Sequence, residues 1–152
     1  MSTAELRLSY KPEDEWHGLL EAVVSSGEFS GKGAAWFSKE QLKDVFVVAL
    51  HAYPLSASDP PTIEGGFWSK DNPATLDQCH LRIAVRPYNS RGTLIVQVDL
   101  TTPCWTTSDN DQQQSITARF LTDYAALEEF ASNLEHVFDG ESDSAVLPGT
   151  AN

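Results

Sequence analysis

Residues 79–102 read CHLRIAVRPYNSRGTLIVQVDLTT, and this stretch decides the fold class. Leu81, Ile83 and Val85 alternate with Arg82, Ala84 and Arg86. Leu94, Val96, Val98 and Leu100 alternate with Thr93, Ile95, Gln97 and Asp99. A period of two is that of a strand with one face in the core and one in water. The link Tyr88-Asn89-Ser90-Arg91-Gly92 is short and rich in turn formers, so the two runs form an antiparallel hairpin. Matching the apolar faces sets Leu81, Ile83 and Val85 beside Leu100, Val98 and Val96. Continued outward, the same register sets Cys79 opposite Thr102, with Cys104 one diagonal step further.

Upstream, residues 4–10 alternate in the same way, with Leu6, Leu8 and Tyr10 on one face. Residues 17–25 and 28–36 read as two further strands, the second interrupted by Gly31 and Gly33. Ser38-Lys39-Glu40-Gln41 has the form of a helix start in which the Ser38 hydroxyl takes the Gln41 N–H. Leu42, Val45, Phe46, Ala49, Leu50 and Tyr53 then make one helical stripe, which Pro54 ends. Residues 63–68 are a weak strand and 103–113 a polar loop. Residues 114–121 are another strand, with Ile116, Ala118 and Phe120 on one face. Thr122 or Asp123 caps a second helix over about 123–138, whose apolar face is Leu127, Phe130, Leu134 and Val137. Trp36, Ser38, Phe46 and Leu50 recur at one constant offset as Phe120, Thr122, Phe130 and Leu134. A duplicated strand-cap-helix unit would explain that echo, and chance plus the generic grammar of helix starts explains it more readily.

The expected fold is therefore α+β: a two-layer sandwich with a mostly antiparallel sheet of about six strands and two amphipathic helices on one face. Residues 1–140 form the single domain, and the small, acidic, polar residues 141–152 read as a flexible tail. The chain has 152 residues, enough to bury roughly 68–70% of its unfolded surface without metals or disulfides.

Twenty-two acids face ten bases, a net charge of −12. Such a surface repels phosphate backbones and anionic lipid, so nucleic acid and membrane are not expected partners; a basic protein partner, or no electrostatic partner at all, fits better. A homodimer stays open. The start carries no basic-then-apolar leader, and two cysteines are too few for a disulfide framework. The expectation is a cytoplasmic protein with both thiols reduced.

No phosphate loop, dinucleotide fingerprint, nucleophile elbow or His-Glu-x-x-His run is present. Ser30-Gly31-Lys32-Gly33 lacks the phosphate-loop spacing and reads as a bulged strand or turn. Cys79-His80 cannot clamp one metal from a strand, because neighbouring side chains leave opposite faces. His51 sits at a helix C-terminus, where a cation meets the dipole favourably, and His136 sits on a wet helix face. The expected catalytic set, metal site and cofactor are therefore none. The aromatic residues carry more. Trp16, Trp36, Trp68 and Trp105 stand near strand ends, where tryptophan serves either as a core edge or as a binding hot spot. The candidate partner-binding residues are Trp68 after Gly65-Gly66, Trp105 after Pro103, Asp109 and Asp111 in the following loop, and Glu128 and Glu129 on the second helix.

The block Gly27-Glu28-Phe29-Ser30-Gly31, then Trp36, then Leu42, Phe46 and Leu50 followed by Tyr53-Pro54, resembles small bacterial proteins of uncharacterised role. They share a Phe-x-Gly, Trp, Leu-x-x-x-Phe-x-x-x-Leu opening, and some look like immunity proteins of polymorphic toxin systems. The resemblance covers about the first third and the closing helix. It implies an α+β fold with an open antiparallel sheet and supplies no catalytic residues. Three functions remain: a non-enzymatic protein-binding domain, in its sharpest form an immunity-type inhibitor; a small accessory or structural domain; and an enzyme with a site assembled from scattered residues.

Overall fold

The computed structural model describes residues 2–106 and 112–152. In chain order the elements are β1 (Ser2–Pro12), β2 (His17–Ser26), β3 (Phe29–Ser38), α1 (a π-helix over Gln41–Val47 that tightens to α over Val48–Leu50), β4 (Thr62–Trp68), β5 (Leu76–Pro87), β6 (Thr93–Thr101), β7 (Ser115–Asp123), α2 (Tyr124–Phe138) and β8 (Ala145–Ala151). The protein is α+β, with one antiparallel sheet in the order β3-β2-β1-β8-β7-β6-β5-β4.

The β5–β6 hairpin has the register its apolar faces dictate: Leu81 faces Leu100, Ile83 faces Val98 and Val85 faces Val96. Its turn is fixed by Asn89, whose Oδ1 accepts the N–H groups of Arg91 and Thr93, and by Gly92, which takes φ +90°. A residue with a side chain is strained there. The β5–β6 ladder ends at Leu81↔Leu100, short of Cys79, whose ladder partner on the other edge of β5 is Gly66 of β4.

The sheet has eight strands among the described residues, where about six were expected. One of them comes from the segment expected to be a flexible tail. Residues 145–151 form β8, which lies between β1 and β7 in the sheet interior. The strand was hard to read because Pro148 and Gly149 break its pattern and its inward residues are mostly small. Leu147 and Ala145 are nonetheless buried, and β8 pairs with β1 from Ser2↔Ala151 to Leu8↔Ala145. Its other edge meets β7 only at Leu121↔Thr150, which leaves room for a proline.

Ser38 Oγ accepts the Gln41 N–H at 3.1 Å, and Asp123 Oδ1 accepts the Ala126 N–H at 2.8 Å, so both expected helix starts form. α2 buries Leu127, Phe130, Leu134 and Val137 as its pattern predicts. α1 departs from its pattern. The wider π turn brings Leu42, Phe46, Val47 and Leu50 inward and turns Val45 out to 61% exposure. The helix ends at Leu50, and Tyr53 lies exposed beyond it. Both helices contribute to the same core as the sheet's inner face. They are tied to each other by Lys43–Asp139 and by His51 Nδ1–Glu128 Oε1 at 2.8 Å.

The sheet folds over on itself. β3 lies against β5, β6 and β7, none of which is its hydrogen-bonded neighbour. Glycine makes this approach possible: a Cβ on Gly31 would stand 2.6 Å from Ile116 of β7, and one on Gly33 would stand 3.1 Å from Leu100 of β6. The element order strand-strand-strand-helix-strand occurs twice, as β1–β4 with α1 and as β5–β8 with α2. Exchanging the halves returns the same strand order read as a ring. The fold thus has two seams, β3 facing β4 and β7 facing β8. The constant-offset echo is one residue out of step on the strands. Trp36 pairs with Leu19 and points outward; its counterpart is Leu121, which pairs with Ile95, and not the buried Phe120.

Candidate functional site

The β3/β4 seam is open, and a cleft of about 270 Å³ lies in it. One wall is the free edge of β3 from Lys32 to Trp36, with Leu19 behind it. The other is made by Gly66, Phe67, His80 and the chain leaving β6, Thr101 to Trp105 without Cys104.

A bulge shapes the second wall. Gly65 pairs with Leu81 and Gly66 with Cys79, so His80 is the extra residue, without a partner across the ladder. The bulge turns both His80 and Leu81 inward. His80 is 4% exposed, and its ring meets Phe67 edge-on at 4.5 Å. The Phe67 ring lies 4.9 Å from Trp105.

Gln78 holds this wall together. Its Nε2 donates to the Cys104 carbonyl at 2.8 Å, and its Oε1 accepts the Cys104 N–H at 3.0 Å. That pair fixes which way the amide points. His80 Nε2, 2.9 Å from the same Oε1, is therefore the donor. Burial pushes the His80 pKa below its ordinary 6.5, so the ring is neutral at pH 7, with its proton on Nε2. Nδ1 is left as an acceptor, and it makes no hydrogen bond among the described residues. Gln113 Nε2 donates to the Thr102 carbonyl at 2.8 Å and pins the same loop start from the other side. These bonds hold Trp105 beside Phe67 although it is 78% exposed.

Of the candidate partner-binding residues, Trp105 belongs to the cleft. Trp68 is exposed at the end of β4, next in sequence to Phe67. Asp109 and Asp111 lie outside the described residues. Glu128 and Glu129 are on α2, which packs on β8, β1, β7 and α1 rather than beside β4, and Glu128 is engaged by His51. The sequence reading did not select Trp36, Phe67, Gln78 or His80 as site residues. Gly65-Gly66 was the usable signal, since a glycine pair in a strand marks a bulge. Nothing in the sequence tied Gln78 to Cys104.

The second seam, β7/β8, encloses about 330 Å³, lined among others by Phe29, Tyr88, Ile95 and Arg119. The two clefts use matching positions. Lys32 to Trp36 corresponds to Thr117 to Leu121, and Leu19 corresponds to Ile95.

Cys79 and Cys104 form no disulfide; Cys79 is part-buried, which pushes its pKa up, and Cys104 is buried. No group of three or more metal-ligating side chains converges among the described residues. No described helix is long and apolar enough to cross a membrane. Comparisons with protein-family models, curated proteins and solved structures return no match for this chain.

Proposed function

We propose that this chain is a non-enzymatic protein-binding domain, in its sharpest form an acidic, cytoplasmic, bacterial immunity-type inhibitor whose partner is a basic protein. The scaffold in this reading is two-layered, with the helices over the inner face of the sheet. The observation that carries it is the β3/β4 cleft, where Trp36 and Trp105 stand 54% and 78% exposed at the rim of a pocket that is aromatic inside. Exposed tryptophans beside a pocket are the usual anchors of protein recognition. The polar groups there are one neutral imidazole, Lys32 at the mouth and threonine hydroxyls. They suit holding a side chain more than moving protons.

Charge supports the same reading. Six of the ten bases, Arg7, Lys11, Lys32, Arg82, Arg86 and Arg119, stand on strands. Several are engaged there: Lys11 and Lys32 with Glu21, Arg82 with Glu64, and Arg86 and Arg119 with Gln97. The acidic surplus lies mainly on the helices and loops and steers a basic partner toward the molecule. The test is co-purification from the native host at low and high ionic strength. A stoichiometric basic partner that salt releases is expected, because screened charges stop attracting beyond a Debye length of about 3 Å at 1 M. A chain that purifies alone would favour the accessory-domain reading, with acidity serving solubility.

A further inference from the structure

We propose that the β7/β8 cavity binds a small monoanionic carboxylate with a flat apolar body, its carboxylate held by Arg119 and Arg86 and its body seated against Phe29, Tyr88, Ile95 and Leu121. This site lies at the other seam and does not rest on the protein-binding reading.

Three observations lead to it. The first is a cavity with a physical cause. β8 meets β7 at Leu121↔Thr150 alone, so the β7 edge from Thr117 to Phe120 runs on without a ladder partner on that side. About 330 Å³ opens there, lined by this edge and by Ser26 and Phe29 of the β2–β3 corner. The Ser26 hydroxyl donates to the Arg119 carbonyl at 2.9 Å and fixes the corner to the edge. The volume stands at the low end of the roughly 300–1,000 Å³ of small-molecule sites. Its large apolar lining is Ile95 and Leu121 with the rings of Phe29 and Tyr88, both exposed.

The second is a convergence of two cations. Arg86 pairs with Ile95, which pairs with Leu121, and in the next row Gln97 pairs with Arg119. All five side chains therefore leave the same face of the sheet. Arg119 Nε donates to Gln97 Oε1 at 3.2 Å, and Arg86 Nη1 donates to the same oxygen at 3.4 Å. The amide is held that way round, because Gln97 Nε2 donates to Asp99 Oδ2 at 3.2 Å. Asp99 itself is taken up on its other oxygen by the Thr117 hydroxyl. Two guanidinium groups thus share one neutral oxygen, and neither has a carboxylate within ion-pair distance among the described residues. Like charges brought this close repel, and an anion between them relieves the repulsion. Both terminal nitrogens of Arg119 are left without an acceptor among the described residues, on an exposed side chain whose Nε is already anchored.

The third is the sign of the cavity against that of the molecule. Twenty-two acids face ten bases, yet the one charged side chain lining this cavity is Arg119. A guanidinium fork matches a carboxylate with two parallel N–H···O bonds. The net charge of −12 repels a dianion more than a monoanion, which favours a carboxylate over a phosphate.

The experiment titrates the full 15N-labelled chain at neutral pH with 3-phenylpropionate, its amide, acetate and phenyl phosphate. 3-Phenylpropionate is expected to shift the amides of Phe29, Arg119, Leu121 and Thr150 and the Arg119 Nε–H signal. It is expected to bind at least about tenfold tighter than the amide, which lacks the charge, and than acetate, which lacks the ring. Arg119→Gln, checked for an unchanged melting temperature, is expected to abolish the preference for acid over amide, and Arg86→Gln to reduce it. The comparison of acid with amide on the wild-type chain stands even where a variant does not fold. No binding of 3-phenylpropionate, equal affinity of acid and amide, or shifts confined to other residues would each overturn the proposal. So would tighter binding of phenyl phosphate, or an undiminished preference in folded Arg119→Gln.

Discussion

The two seams share one topology and differ in how they close. At β7/β8, Leu121 pairs with Thr150, and the Thr122 hydroxyl donates to the Pro148 carbonyl at 2.9 Å. Ser26 donates to the Arg119 carbonyl at 2.9 Å and ties the β2–β3 corner to β7. At β3/β4 no ladder pair forms between the facing strands. The His80 bulge bends the end of β5, and the loop pinned by Gln78 carries Trp105 toward Phe67. One seam is stitched by the chain's own last strand; at the other β4 packs on β3 without a ladder pair, close enough that a Cβ on Gly65 would stand 3.1 Å from the Ala35 Cβ. Equivalent backbone positions therefore acquire different roles through a bulge and a few side chains, which is why the element order alone does not locate a site.

The largest test of this comparison removes β8. A chain ending at Asp143 exposes the edges of β1 and β7 and loses Ala145 and Leu147 from the core. It is expected to show no cooperative urea transition by circular dichroism. A cooperative transition near that of the full chain would mean that β8 is the dispensable tail its composition suggests, and that the stitched seam is not needed.

Next, Phe46→Ala and Phe130→Ala delete the matching anchors of the two helices, each 1% exposed. Each is expected to cost about 3–5 kcal/mol in chemical denaturation, from lost burial and the cavity left behind. Similar losses would support equivalent halves. A loss below about 1 kcal/mol at either would show that the helix is not anchored as the packing indicates.

A smaller effect belongs to the open seam alone. Burial holds the folded-state pKa of His80 below 6.5, so the unfolded chain takes up a proton first as pH falls. The stability His80 contributes is fully present above about pH 6.5 and is lost as pH falls from there through the folded value. The wild-type urea midpoint is expected to drop between pH 7.5 and pH 5.5, and His80→Asn is expected to flatten that part of the drop. An equal pH dependence in the variant would mean that the imidazole is not desolvated.

Much of the fold was legible because it is written in local periodicity. The β5–β6 register follows from alternating Leu, Ile and Val, since a one-residue slip would turn every one of them into water. The Ser38 and Asp123 caps and the inner face of α2 are likewise short-range patterns. The π winding of α1 was not legible, since Val45 and Phe46 are both apolar and only packing decides which goes in. β8 was hidden by Pro148 and Gly149, which signal a loop unless β1 is seen alongside. The candidate site was the least legible part. Trp105 stood out by type, but Phe67, His80 and Gln78 became a site only when the bulge and the loop after β6 met.

By itself the sequence determined the acidic charge, the antiparallel α+β class, the central hairpin and both helix starts, because these depend on composition and on residues a few positions apart. The tertiary structure alone decided that the C-terminal segment is an interior strand, that β3 folds across to β5, β6 and β7, and that one of two equivalent seams stays open. Those outcomes depend on contacts between residues far apart in the chain, such as Gly33 with Leu100, Leu6 with Leu147 and Gln78 with Cys104. No local pattern encodes which distant partner a given edge or glycine will meet.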